Sequence, residues 1–268
     1  MLKRSAFILV ALLVLSVSIA RAGIVWQVDI TGEHKKGETA TISKVYAQAG
    51  QVREEYIEVK GAAENKMKEK GMWWLYKSGT NTVYIVDPTE KTYMGIEFDS
   101  LMKFMGALGS IMSMKFTNLK SEIKELDSVK VLGYDCQHYA INSSYDMELK
   151  VLMMKVKSHV EKDKEIWTTA ELPMEEVSLS FREQSFKTGM KDLDSLIQQE
   201  MAVQKNLGFI LKSVETQITS DAKGKETDKS TTTMTVSGVE VKDLSGDLFT
   251  IPSDYKEISM GSLPGGGE

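Results

Sequence analysis

The strongest constraint on this chain is a two-residue alternation of apolar and polar side chains, broken by tight turns, that fills most of it after residue 23. Ile24, Trp26, Val28 and Ile30 fall on one side, and Val25, Gln27 and Asp29 on the other, which is the period of a half-buried strand. Segments 39–49 and 51–60 read as a hairpin about Gly50, and 73–77 and 82–86 as a second one about Ser78-Gly79-Thr80-Asn81. Asp87-Pro88-Thr89-Glu90 turns the chain into a strand over 91–96. Strands are expected again over 136–141 and 164–169, with a turn at 142–146 between them. The phase slip from Leu149, Val151 and Met153 to Met154, Val156 and Val160 suits a β-bulge at Met153-Met154. Segments 208–219 and 231–242 pair across 220–224. Strands do not alternate regularly with helices, which argues against a doubly wound parallel sheet. The expected fold is mainly β (α+β): a single curved antiparallel sheet or incomplete β-barrel, with helices covering the concave side.

Two helices would supply that cover. Phe98, Leu101, Met102, Met105, Leu108 and Met112 recur at helical spacing, with Asp99 or Ser100 as cap, and 192–204 has a second helical pattern. Segment 175–186 reads as helical less distinctly. Gly106 and Gly109 weaken the first helix by about 1 kcal/mol each. Met94, Met102, Met105, Met112 and Met114 are crowded together, and methionine suits a surface that adapts to varied apolar partners. Core packing accounts for the same stripe without a ligand.

The first residues read as an address. Lys3 and Arg4 precede an uncharged apolar run over 6–19, and Ala20-Arg21-Ala22 offers small residues at the −3 and −1 positions of a cleavage site. The expected organisation is a signal peptide over 1–22, one half-barrel domain over 23–258, and a disordered Gly-rich tail over 259–268. A periplasmic or secreted protein follows, with no integral membrane segment after cleavage. Loss of Lys3, Arg4 and Arg21 takes 33 basic side chains to 30 against 38 acidic ones, a net of −8. That balance argues against nucleic acid as a partner.

Chemistry-bearing patterns are sparse. Cys136 and His138 are two apart on an expected strand and so share a side. They could form part of a nucleophilic or metal site, but no further ligand has suitable spacing, and a packed thiol explains them equally well. Glu54 and Glu58 share an expected strand face, where solvent exposure suffices to explain them. Trp73 and Trp74 point to opposite faces if extended. No phosphate-loop, dinucleotide, zinc-protease or nucleophile-elbow motif is present, so neither catalysis nor a metal or other cofactor is expected.

Several stretches, taken in order, carry a resemblance: Val83-Tyr84-Ile85-Val86-Asp87, Lys91-Thr92-Tyr93, Gly133-Tyr134-Asp135-Cys136-Gln137-His138-Tyr139, Glu165-Ile166-Trp167-Thr168-Thr169, Gly208-Phe209-Ile210-Leu211-Lys212, and Leu248 to Lys256. The chain is similar to an uncharacterised family of bacterial periplasmic proteins, which in turn resembles the LolA and LolB type of lipoprotein-localisation factor. The resemblance spans about residues 24–256. It implies an incomplete antiparallel barrel whose apolar concave face carries or senses acyl chains. It also invites comparison of Arg53, in phase with Ile57 and Val59, with the arginine that holds the closed state of such carriers. The expected ligand-binding residues are Arg53, Trp73, Tyr84, Leu101, Met102, Met105 and Trp167. The expected function is a soluble periplasmic binding protein for an acyl chain, lipid or lipidated protein. The alternative is a cell-envelope sensor or scaffold that binds another protein through the same fold.

Overall fold

A computed structural model describes residues 22–35, 37–61, 68–77, 79–80, 82–97, 112–151, 154–172, 192, 194–195, 198 and 207–259. The strands are β1 (Gly23–His34), β2 (Gly37–Gln48), β3 (Gln51–Gly61), β4 (Trp73–Lys77), β5 (Thr82–Asp87), β6 (Thr92–Glu97) and β7 (Met112–Glu125). They continue with β8 (Val129–Val131), β9 (Tyr134–Val151), β10 (Met154–Thr169), β11 (Phe209–Asp221), β12 (Glu226–Lys242) and β13 (Lys256–Glu257). A 3-10 turn spans Gly246–Phe249.

These strands form one open, curved sheet in the order β13-β6-β5-β4-β3-β2-β1-β12-β11-β10-β9-β7, with β8 paired to β9 off this path. Neighbours are antiparallel except β13, which runs parallel to β6, so the sheet is mixed. The expected covering helices are not supported. Among the described residues, α-helical backbone occurs only at Asp192, Asp194, Ser195 and Gln198. The rest of 192–204, and 98–111 and 175–186, lie outside the described residues, as do 1–21 of the expected leader and 260–268 of the expected tail. Met112, expected to end a helix, opens β7.

Local chemistry explains the turns. Ala49 (φ 50°) and Gly50 (φ 75°) both take positive φ, which matches the two-residue turn that suits the twist of a tight hairpin. Asp221 Oδ1 accepts from the Lys223 and Lys225 amides at 2.8 and 3.0 Å and so closes the β11–β12 turn. Residues 142–146 do not turn: they lie inside β9, paired with β10 on one side and largely with β7 on the other. Ladder pairing on both edges outweighs the turn preference of Asn and Ser. Val151 stands opposite Met154, as in a hairpin and not a bulge, and Met153 of the expected bulge lies outside the described residues.

Directly opposed residues share a face, so the registers sort the core into two layers. The front face carries one cluster with Ile24, Trp26, Val28, Val45, Ala47, Val236, Phe209 and Leu211, and a second with Tyr56, Met72, Trp74, Ile85 and Met94. Farther along the same face lie Phe116, Tyr145 and Val160. The back face carries Trp73, Leu75, Tyr84, Val86 and Tyr93, covered by Leu244, Leu248, Phe249, Ile251 and Tyr255. The segment after β12 thus folds back over the first half of the sheet.

Candidate functional site

The expected ligand residues fall in different places. Arg53, Trp73 and Tyr84 meet on the back face, beneath the segment that follows β12. The Arg53 guanidinium stacks on Trp73 at 4.0 Å. Its Nη1 donates to the Leu248 carbonyl at 3.2 Å, and its Nη2 to Glu55 Oε2 at 3.2 Å. The Leu248 carbonyl belongs to the 3-10 turn, whose last carbonyls need outside donors. Arg53 supplies one and pins the segment down. The expected phase with Val59 fails because a register shift opposite Ile42 and Ser43 inserts Ile57 as an extra residue. Val59 therefore shares the front face with Tyr56, while Arg53 points back. The same shift separates Glu54 from Glu58, which bonds Lys60.

Trp167 lies apart, on β10 at a register shift between Trp167 and Thr168. Its ring stacks on His138 at 4.3 Å, and the Lys212 ammonium sits 4.6 Å from its centroid. His138 also meets Glu165 at 3.0 Å. Leu101, Met102 and Met105 lie outside the described residues. Cys136 is buried in the cluster with Trp26 and Phe209, its thiol directed at the Tyr134 carbonyl at 3.6 Å. Burial, the largest influence, pushes that thiol up, away from the reactive thiolate. Among the described residues, no group of three His, Cys, Asp or Glu side chains could hold a metal ion.

The resemblance implied an apolar face, but sequence reasoning did not single out the buried residues that compose it. Trp26, Val28, Val45, Tyr56, Trp74, Ile85, Met94 and Ile96 form a largely apolar strip across β1 to β6, extended by Val236 on β12 and interrupted by Glu54, which stands between Val45 and Trp74. At about 4.8 Å per strand, β12 to β6 spans roughly 29 Å. Among the described residues, two buried polar atoms in this strip have no hydrogen-bond partner: Ser43 Oγ, between Val28 and Tyr56, and Trp74 Nε1. The Tyr56 hydroxyl is held protonated far above its usual range, first by burial and then by the neighbouring Glu54 charge. The alternation of β1 announced the strip, but Ser43 and Trp74 became part of it only through pairing across strands.

Open grooves lie elsewhere on the sheet. One of about 630 Å³ is lined by residues including Asp146, Glu148, Lys157, His159 and Asp221. There His159 Nδ1 meets Asp146 Oδ1 at 2.6 Å, and Asn118 donates to Asp146 Oδ2 at 2.6 Å. These bonds, His159 first, hold the Asp146 carboxyl below the usual carboxylate range.

The geometry defines a class: a mainly β protein built on one open sheet with a broad apolar face. The chain belongs to the family described as Domain of unknown function (DUF4412), which matches residues 27–255. No curated protein matches the chain. Among solved structures it is similar to a LolA superfamily protein from Nitrosomonas europaea, at 12% identity, covering 86% of this chain and 90% of that one, with a TM-score of 0.30. It is also similar to a putative outer membrane lipoprotein-sorting protein domain from Vibrio parahaemolyticus, at 10% identity, covering 86% and 90%, with a TM-score of 0.32. A third similarity is to PNGF-II, at 12% identity, covering 90% of this chain but 31% of that one, with a TM-score of 0.35.

Proposed function

We propose that this protein is an extracytoplasmic binding protein for an apolar ligand, an acyl chain, lipid or lipidated protein, taken up on the front face of the sheet. The supporting observation is the strip from β12 to β6, with aromatic and aliphatic side chains surrounding the unpartnered Ser43 Oγ and Trp74 Nε1. Apolar side chains give affinity by removing hydrocarbon from water, at about 0.8 kcal/mol per buried CH₂. A polar group on the ligand would meet the hydroxyl and the indole N–H, because a buried unpaired donor gains most from a partner. The leader-like residues 1–22 support export. Among the described residues no helix is long and apolar enough to cross a membrane. The reading involves no covalent chemistry: Cys136 is packed and His138 is engaged by Glu165 and Trp167.

A second reading, an envelope scaffold or sensor that binds another protein, draws on the back face, where Arg53, Trp73 and Tyr84 are filled in by the chain itself. Native mass spectrometry of protein purified from its own cell envelope, followed by lipid extraction, separates the two. Copurified lipid, lost in Trp74→Asp, supports the ligand reading. A stoichiometric protein partner without lipid supports the scaffold.

A further inference from the structure

The far end of the sheet has a feature that ligand binding on the front strip does not use. Strand β10 pairs with β11 only from Ser158 onward, so residues 154–157 run past the β11–β12 hairpin. There β10 is flanked by β9, and β9 by β7, making a three-stranded tongue that projects roughly 13 Å at about 3.3 Å per residue. Its front face presents Met114, Leu149, Val151, Met154 and Val156. Met154 is 69% and Val156 57% exposed, among the most exposed large apolar side chains described.

The opposite face of the same residues is cationic. Lys115, Lys150, Lys155 and Lys157 surround Glu148, which bridges Lys155 at 2.7 Å and Lys157 at 3.7 Å. Lys150 stands directly opposite Lys155, an arrangement that destabilises a strand pair. The concentration of positive charge is at odds with the net negative charge of the whole chain. Folding alone explains neither the exposed apolar row nor the opposed lysines.

We propose that the β7–β9–β10 tongue docks on an anionic lipid surface. Its apolar row enters the headgroup boundary, and the lysines act on the lipid charge. The lysines stand on the opposite face, and their field acts through the thin three-stranded edge over about 8 to 10 Å at moderate salt. The tongue lies in the interface and does not span it, because the open edge of β7 has backbone groups that hydrocarbon cannot satisfy. This inference stands independently of the front-strip ligand.

The test is vesicle flotation of the purified protein with phosphatidylcholine vesicles, with and without one quarter phosphatidylglycerol. The expected result is affinity for the anionic vesicles at least about tenfold above the neutral ones, falling with added salt. Met154→Asp/Val156→Asp loses at least about tenfold. Lys150→Glu/Lys155→Glu also loses at least about tenfold, since each lysine near such a surface contributes about fivefold. Leu132→Asp, at a 52% exposed apolar position between β8 and β9, leaves binding unchanged. Circular dichroism checks that each variant is folded, and removal of apolar surface alone at Val156→Ser supplies a milder variant. Equal binding to both vesicle types, no binding, or binding indifferent to the folded tongue variants overturns the proposal. Self-association that Met154→Asp/Val156→Asp abolishes, without vesicle binding, also overturns it and makes the tongue an interface between copies.

Discussion

Arg53→Ala tests whether this side chain is a clamp on the C-terminal segment or a ligand contact. Arg53 is only 16% exposed, so its interactions count for more than those of a surface pair. Stacking on Trp73 contributes about 1 kcal/mol. The charge-assisted bond to the Leu248 carbonyl contributes about 2 kcal/mol. The pair with Glu55, which is partly exposed, adds about 0.3 kcal/mol after solvent screening. The buried Nε lacks a partner among the described residues and offsets about 1 kcal/mol. The net loss is about 2 to 3 kcal/mol, and in a chain of this size each kcal/mol moves the melting temperature by about 2–4 °C. Thermal denaturation followed by circular dichroism should therefore show a drop of about 5–10 °C. Trypsin should also cut faster at Lys242 and Lys256, which flank the segment. Arg53→Lys keeps the charge but loses the planar fork, so it should recover less than half of the loss. A melting temperature within 2 °C of wild type, with unchanged trypsin protection, would refute the clamp. Unchanged stability with lost binding of a hydrophobic probe would restore the ligand role that the family resemblance implies.

Other perturbations probe the same layers. Phe249→Ala removes a buried ring from the cluster with Trp73, Leu75 and Val86 and should cost about 3–5 kcal/mol, read by urea denaturation. Ser43→Ala removes a buried hydroxyl without a partner among the described residues, so it should stabilise the ligand-free protein by about 1 kcal/mol while weakening ligand retention. Asp146→Asn should flatten the acid arm of stability. The folded carboxyl titrates below its unfolded value, so its contribution is present above about pH 4 and is lost as pH falls through the folded value. The melting gap between wild type and this variant should accordingly shrink below about pH 4 in a pH series.

Much of the fold was legible because two-residue periodicity and turn chemistry act locally. Gly50, Gly79 and Gly224 mark hairpins whose partners follow at once in the chain. Misreadings arose where nonlocal pairing dominated. Residues 142–146 have turn-like composition, yet ladder bonds on both sides keep them extended. The bulge at Ile57 is invisible in a sequence whose alternation looks unbroken, and it reversed the side assigned to Arg53. Met112, expected at the end of the helical stripe, opens a strand instead, because β7 pairs with β9 from that residue onward.

The sequence by itself determined that the chain is mainly β, that it begins with leader-like residues, and that aromatic and aliphatic side chains alternate along its early strands. Each of these depends on residues close together in the chain. Tertiary structure decided which rows join. Antiparallel register carries Trp26 to Val45 and on through Glu54 to Trp74, with Tyr56 beside Glu54 on the same face, and so makes one largely apolar face out of separate alternations. It also sent Arg53, Trp73 and Tyr84 to the other side, beneath the returning segment. Because the side-chain period is two, a single extra residue reverses the face of everything beyond it, and only pairing across strands reveals where that residue is placed.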